Sequence, residues 1–124
     1  MNSCNQLNSL ALAYLGDAVY ELYIRKYLLS KNLVKVNELQ KESLKFVAAK
    51  SQATILEKLI EKQFLTEEEL NIIKRGRNTK SHKAPKNTDI ITYKHATGLE
   101  TLIGYLYLTN SFRLEQIMKE ITGE

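Results

Sequence analysis

The chain has 124 residues, 44% of them hydrophobic, and its 18 Lys and Arg against 14 Asp and Glu give a net charge of +4. This length fits one domain with a substantial core, and the modest positive charge suits a polyanionic partner without requiring one. The single cysteine (Cys4) excludes a disulfide scaffold. No apolar run approaches the ~18 residues that span a bilayer, and no signal peptide is visible. We therefore expect a cytoplasmic protein that contacts no membrane.

The first predicted helix covers Leu10 to Leu29 and begins at 5–8, because this segment has no proline and is rich in Leu, Ala and Tyr. A helix that is apolar on all sides belongs in a core, where the carboxylate of Asp17 is costly without a partner. Glu21 and Arg25 follow at four-residue steps on the same face. We expect a cation to balance the two acids: Arg25, a lysine from elsewhere or a metal ion.

A second predicted helix begins after Asn37, which is a good N-cap with Gln40 three residues later. Its apolar period continues to about Lys62 and weakens near Ser51, where we expect a break.

The third predicted helix has the clearest start signal, a capping box of Thr66 and Glu69 with Leu65 and Leu70 placed as a hydrophobic staple. Gly76 after a cationic turn predicts the end of this helix.

The next segment, Lys74 to Lys86, has six cationic side chains, no acid and the only proline of the chain, which predicts a loop. Such a loop either binds phosphate groups of a nucleic acid or is simply solvated. The candidate nucleic-acid-binding residues are Lys74, Arg75, Arg77, Asn78, Lys80, Lys83 and Lys86.

Two further helices are predicted, one from about Thr92 to Leu108 and the last from about Ser111 to Ile121. No strand alternation, internal repeat or linker is visible, so we expect a single all-α domain over residues 1–124.

Two acids, Asp17 and Glu100, lie in strongly apolar helices that each contain a glycine, Gly16 and Gly104. Glycine inside a helix usually has a packing reason, so the two backbones can approach closely and bring the carboxylates together. Facing carboxylates repel unless they share a proton or hold a cation, and oxygen ligands favour Mg²⁺. The alternative is that each acid pairs with a surface Lys or Arg.

Other candidate residues carry weaker signals. The tyrosines at 14, 20, 23 and 27 can stack on bases, although packing or interface roles fit a core helix better. His82 in the basic segment can meet phosphate and His95 can support Glu100, but neither has a partner at metal-ligand spacing. No Ser-His-Asp triad, P-loop or nucleotide-binding glycine motif is present.

The motifs LGDAVYELYIRKYL and ATGLETLIGYLYL, with RGRNTKS and PKNTD between them, resemble the Mini-ribonuclease III branch of the ribonuclease III family over nearly the whole chain. The resemblance implies a ribonuclease III endonuclease-domain-like helical bundle, without a double-stranded-RNA-binding domain, that acts as a homodimer. It implies Mg²⁺-dependent cleavage of double-stranded RNA, with precursor 23S ribosomal RNA as substrate and a large-subunit ribosomal protein on that RNA as a further candidate partner.

The resemblance also assigns residues. Asp17 and Glu100 match catalytic, metal-binding acids, and Tyr14 matches an aromatic that packs into the partner subunit. The larger enzymes carry three more acids at positions that are here Leu10, Ala13 and Thr97. This departure leaves open the number of metal ions, and whether Glu21 or water replaces the missing ligands.

Two other functions remain in view. A non-catalytic RNA- or ribosome-binding helical module has no use for two acids that face each other. A helical protein–protein adaptor predicts no salt-dependent affinity for RNA.

Overall fold

The computed structural model describes residues 8–79 and 89–124, which form six α-helices and no β-strand. The prediction of an all-α fold is therefore confirmed. Within the described ranges, no helix is both long enough and apolar enough to cross a lipid bilayer. The helices in chain order are α1 Ser9–Ser30, α2 Val36–Val47, α3 Ala49–Glu61, α4 Glu67–Asn78, α5 Ile90–Thr109 and α6 Ser111–Thr122.

Helix α5 lies at the centre and packs against α1, α3, α4 and α6. Its side chains at Leu99, Leu102 and Ile103 are completely buried. The N-cap Asp89 starts the helix by accepting a hydrogen bond from the backbone N–H of Thr92. The fold thus places Glu100 in the middle of its most buried element.

Helix α1 begins as predicted, with the Asn8 side chain accepting a hydrogen bond from the backbone N–H of Ala11. The expectation that it is buried on all sides is wrong, because Tyr14, Leu22 and Asp17 are exposed. A helix whose sequence is apolar on all sides does not reveal which of its faces is exposed to solvent in the folded protein. Asp17 is accordingly in contact with solvent rather than in the core.

The second predicted helix is two helices, and their junction at Ala48 lies close to the expected break. Ala48 is in an extended conformation, and the hydroxyl of Ser51 donates across the junction to the carbonyl of Leu44 at 2.9 Å. The assignment of Asn37 as N-cap is wrong by two residues, because the helix begins at Val36 and its N-cap is Lys35.

The capping box of α4 is confirmed, since Thr66 and Glu69 exchange hydrogen bonds of 2.9 and 3.1 Å. Gly76 does not end the helix, which continues to Asn78. A Cβ atom on Gly76 would lie 2.3 Å from the hydroxyl of Thr101, so glycine is required there for packing against α5. The first part of the predicted basic loop is therefore helical.

Candidate active site

Two glycines bring α1 and α5 into direct backbone contact. A Cβ atom on Gly16 would lie 1.8 Å from the carbonyl oxygen of Glu100, and one on Gly104 would lie 2.0 Å from that of Leu12. Because real Cβ atoms never approach a backbone oxygen so closely, no larger residue fits either position. The close approach predicted from these glycines is confirmed.

The contact brings Asp17 and Glu100 together. Asp17 follows Gly16 on α1 and is exposed, whereas Glu100 on α5 is half-buried. The two carboxyl groups lie close enough for Asp17 to affect the pKa of Glu100. One carboxyl therefore faces solvent and the other faces the helix bundle.

Burial, together with the nearby side chain and negative charge of Asp17, raises the pKa of Glu100 from 4.5 to about 8. A donated hydrogen bond from Gln52 acts in the opposite direction. Among residues 8–79 and 89–124, neither acid forms an ion pair with Lys or Arg, which was the alternative expectation. The charge of Asp17 and the burial of Glu100 therefore favour the protonated form of Glu100 when no cation is bound.

Gln52 is a member of this site that the sequence reasoning missed. Its side chain is 2% exposed, and its amide nitrogen lies 3.1 Å from the carbonyl oxygen of Val47 and 3.4 Å from Oε2 of Glu100. Its amide oxygen is buried and has no hydrogen-bond partner in the described part of the chain. The available signal was a polar residue on the apolar stripe that it shares with Leu56 and Leu59.

Glu21 has a different partner. Its carboxylate forms an ion pair of 2.8 Å with Arg25 on the exposed surface of α1. Arg25 therefore balances the charge of Glu21, and Asp17 interacts with Glu100 instead. Within the described ranges, no group of three or more His, Cys, Asp or Glu side chains is arranged to hold a metal ion.

An open basic groove lies between the end of α4 and the start of α1. Its lining combines cationic and polar side chains: Asn8, Ser9, Lys74, Arg75, Asn78 and Thr79. Arg77 is half-buried, with its Cβ atom facing Gly98 of α5. Ser9 precedes Asp17 by eight residues, so the groove begins about 12 Å along α1 from the acid pair.

Several predicted residues stand apart from this site or outside the described structure. Tyr14 lies on α1 three residues before Asp17 and is 86% exposed. Tyr20 is buried and donates a hydrogen bond to the carbonyl of Phe46, so it packs rather than stacks on a ligand. The positions outside the described residues are Cys4, Lys80, His82, Lys83 and Lys86.

Comparisons with known proteins agree on one family. The family model for the ribonuclease III domain matches residues 10–111. The Mini-ribonuclease 3 of Streptococcus pneumoniae is 47% identical over 119 residues, covering 95% of this chain and 93% of that protein. The Mini-ribonuclease 3 of Clostridium tetani is 52% identical over 116 residues, covering 92% and 76%. The X-ray structure of a Fusobacterium nucleatum protein superimposes with a TM-score of 0.87 at 34% identity, covering 99% of this chain and 100% of that one.

Proposed function

Because the chain belongs to the ribonuclease III family, within its Mini-ribonuclease 3 group, we propose that it cleaves double-stranded RNA with Mg²⁺ and matures the ends of precursor 23S ribosomal RNA. Family membership makes it an endoribonuclease of the ribonuclease III type. The observation that carries the proposal is the contact of Asp17 with Glu100 across the two interhelical glycines.

The acid pair fits a hydrated Mg²⁺ ion. Mg²⁺ prefers oxygen ligands at 2.0–2.1 Å in an octahedron, so adjacent ligand oxygens are about 3 Å apart. Asp17 and Glu100 are near enough to interact across the glycine contact of α1 and α5, so the two carboxylates can serve as ligands of one ion. When bound, Mg²⁺ would supply a water of lowered pKa and stabilise negative charge on the scissile phosphate.

The two acids have different parts in this proposal. Asp17 is exposed and so is within reach of solvent and of an RNA backbone. Glu100 is anchored on the most buried helix, and its raised pKa reflects the cost of charging it without a cation. Both are carboxylates that would hold the ion, and their fixed helices determine where it sits.

The basic groove would bind the RNA backbone. Lys74 and Arg75 are exposed at the end of α4, where the helix dipole also favours positive side chains. Double-stranded RNA is recognised mainly through its shape, its phosphates and its 2′-hydroxyls, so point charges along a groove are an appropriate means of binding. We propose the same function for Arg77, Asn78, Lys80, Lys83 and Lys86.

A homodimer would present two such sites, one for each RNA strand. Tyr14 supports this part of the proposal because its ring is 86% exposed and is therefore available to a partner surface. In this scheme one cytoplasmic, ribonuclease III-like domain both binds and cleaves RNA, and the substrate carries a large-subunit ribosomal protein.

The decisive experiment compares the wild type with Asp17→Asn and Glu100→Gln in cleavage of a duplex RNA, with Mg²⁺ and with EDTA. Both variants should lose cleavage and still dimerise, and EDTA should abolish wild-type activity. Glu21→Gln is the matched control, because Glu21 lies one turn along the same helix and is paired with Arg25. Unchanged cleavage by Asp17→Asn would refute the assigned site.

Two further assays test substrate and binding. A precursor 23S stem should be cut at fixed positions, whereas an unrelated duplex of equal length should be cut more slowly or elsewhere. Changing Lys74, Arg75 and Arg77 together to Gln should make the negative slope of log K against log salt shallower by about 3, since each phosphate contact contributes about 0.9 to its magnitude. An unchanged slope would favour a protein–protein adaptor over an RNA-binding enzyme.

A further inference from the structure

We propose that Gln52 is a positioning residue of the cation site: its amide nitrogen orients Glu100, and its unpartnered oxygen accepts a hydrogen bond from a water on the bound ion. This inference rests on the proposed function, because it assumes a hydrated divalent cation between Asp17 and Glu100. The inference requires no protein ligand for the cation other than Asp17 and Glu100.

The burial of Gln52 has no explanation in packing alone. The side chain is 2% exposed on the face of α3 that also buries Ala53, Leu56 and Leu59. A buried amide oxygen without a partner lowers stability, and a leucine or methionine would fill this space without that cost. A glutamine at this position therefore indicates a use for its polar atoms.

The orientation of the amide is fixed by its neighbours. Both groups that it contacts on one side are acceptors, the carbonyl of Val47 at 3.1 Å and Oε2 of Glu100 at 3.4 Å. The nitrogen must face them, so the oxygen remains as the free acceptor. Val47 is the last residue of α2, and its carbonyl is available because the chain breaks at Ala48 before α3 begins.

The free oxygen lies in the neighbourhood of Glu100. It is bonded to the same carbon as the nitrogen that contacts Glu100, so it shares the immediate surroundings of that carboxyl. It is closed to solvent in the protein without a bound ion. Mg²⁺ held by two carboxylates keeps several waters, and these waters need hydrogen-bond acceptors such as this oxygen.

The test uses Gln52→Met, which keeps the length of the side chain and removes both polar atoms. Mg²⁺ binding is measured by calorimetric titration of the RNA-free protein, and cleavage is measured over a range of Mg²⁺ concentrations. We expect Mg²⁺ affinity to fall about 10- to 100-fold, as for other residues that support metal ligands. Cleavage should recover at saturating Mg²⁺, whereas a purely structural defect would lower it at every concentration.

Two further variants keep the test decisive. Gln52→Leu also removes both polar atoms but fills the space with a branched side chain, so its Mg²⁺ affinity should fall as far as that of Gln52→Met. Thr101→Val is the matched control. Thr101 follows Glu100 in the sequence, but its buried hydroxyl donates to the carbonyls of Thr97 and Ser9. This variant should leave Mg²⁺ affinity unchanged.

The outcomes separate this inference from the proposed function. Wild-type Mg²⁺ affinity in Gln52→Met or in Gln52→Leu would overturn the role of Gln52. If Asp17→Asn still cleaves RNA, the proposed site itself fails. If Asp17→Asn is inactive and Gln52→Met binds Mg²⁺ normally, only the present inference fails.

Discussion

Replacing Glu100 with glutamine should remove a pH dependence of stability that the metal-free wild type possesses. In the unfolded chain this carboxyl has its ordinary pKa of 4.5, whereas burial and Asp17 raise the pKa to about 8 in the folded protein. Between these values the folded state binds more protons than the unfolded state, so stability falls as pH rises. The stabilisation is complete below 4.5 and is lost once the pH passes about 8.

The magnitude follows from the two pKa values. The interval between 4.5 and about 8 is about 3.5, and each pH unit is worth about 1.4 kcal/mol, so the maximum loss is about 5 kcal/mol. Glu100 is only half-buried, so we expect a measured loss of about 2–5 kcal/mol. This is a large share of the stability of a small domain, which is typically about 5–15 kcal/mol.

The measurement is urea unfolding followed by circular dichroism, in EDTA, at several pH values across this interval and at one protein concentration. The free energy of unfolding of Glu100→Gln should change little, while that of the wild type should fall. Glu21→Gln should follow the wild type, and saturating Mg²⁺ should restore wild-type stability at the alkaline end because the ion takes the place of the proton. Parallel curves for the wild type and Glu100→Gln would refute the reasoning.

Three other predictions follow from the contacts. Gly16→Ala or Gly104→Ala should cost about 3 kcal/mol or more and abolish cleavage, because a Cβ atom at 1.8 or 2.0 Å from a backbone oxygen forces the helices apart. Arg113→Met should cost about 3–5 kcal/mol in urea unfolding, because it leaves Glu69 buried and unpaired. Tyr14→Ala should convert the dimer to a folded monomer in sedimentation experiments, with little change in monomer stability because the ring is 86% exposed.

Two of these predictions have a control variant on the same chain. Ala18→Ser changes an exposed position of α1 and should leave stability and cleavage intact. Lys62→Met removes an exposed ion pair with Glu120 and should cost less than about 1 kcal/mol. The first prediction would be contradicted if Gly16→Ala were stable and active. The second would be contradicted if Arg113→Met lowered the free energy of unfolding no more than Lys62→Met does. The third would be contradicted if Tyr14→Ala remained a dimer.

The sequence predicted those features that depend on residues close together in the chain or on a constraint with one solution. The capping box needs only Thr66 and Glu69, which lie three residues apart, and it is present as expected. The approach of α1 to α5 was also predictable, because Gly16 and Gly104 interrupt helices that otherwise favour larger residues.

Features that depend on tertiary contacts with more than one possible arrangement could not be predicted. Gly76 has the local pattern of a helix end, but its actual use is the contact with Thr101 on α5. The exposure of Asp17 depends on which face of α1 is left uncovered, which an all-apolar segment does not specify. Gln52 joins the site through Glu100, a residue 48 positions away, so periodicity could mark it only as a polar residue on an apolar stripe.

The three positions where larger enzymes have acids cannot supply ligands here. Ala13 and Thr97 are buried, and the hydroxyl of Thr97 donates to the carbonyl of Tyr93 within α5. Two carboxylates therefore leave most of an octahedral shell to water and to oxygens of the bound RNA.

A shell completed by RNA requires Mg²⁺ and RNA to bind cooperatively. If phosphate oxygens complete the shell of the ion held by Asp17 and Glu100, each ligand must raise the affinity for the other by the same factor. Stopped-flow titrations of RNA at several Mg²⁺ concentrations, read before turnover, should show RNA affinity rising with Mg²⁺ in the wild type and not in Asp17→Asn. RNA affinity that is independent of Mg²⁺ in both proteins would mean that the ion does not contact the substrate, and the two-carboxylate site would then need another explanation.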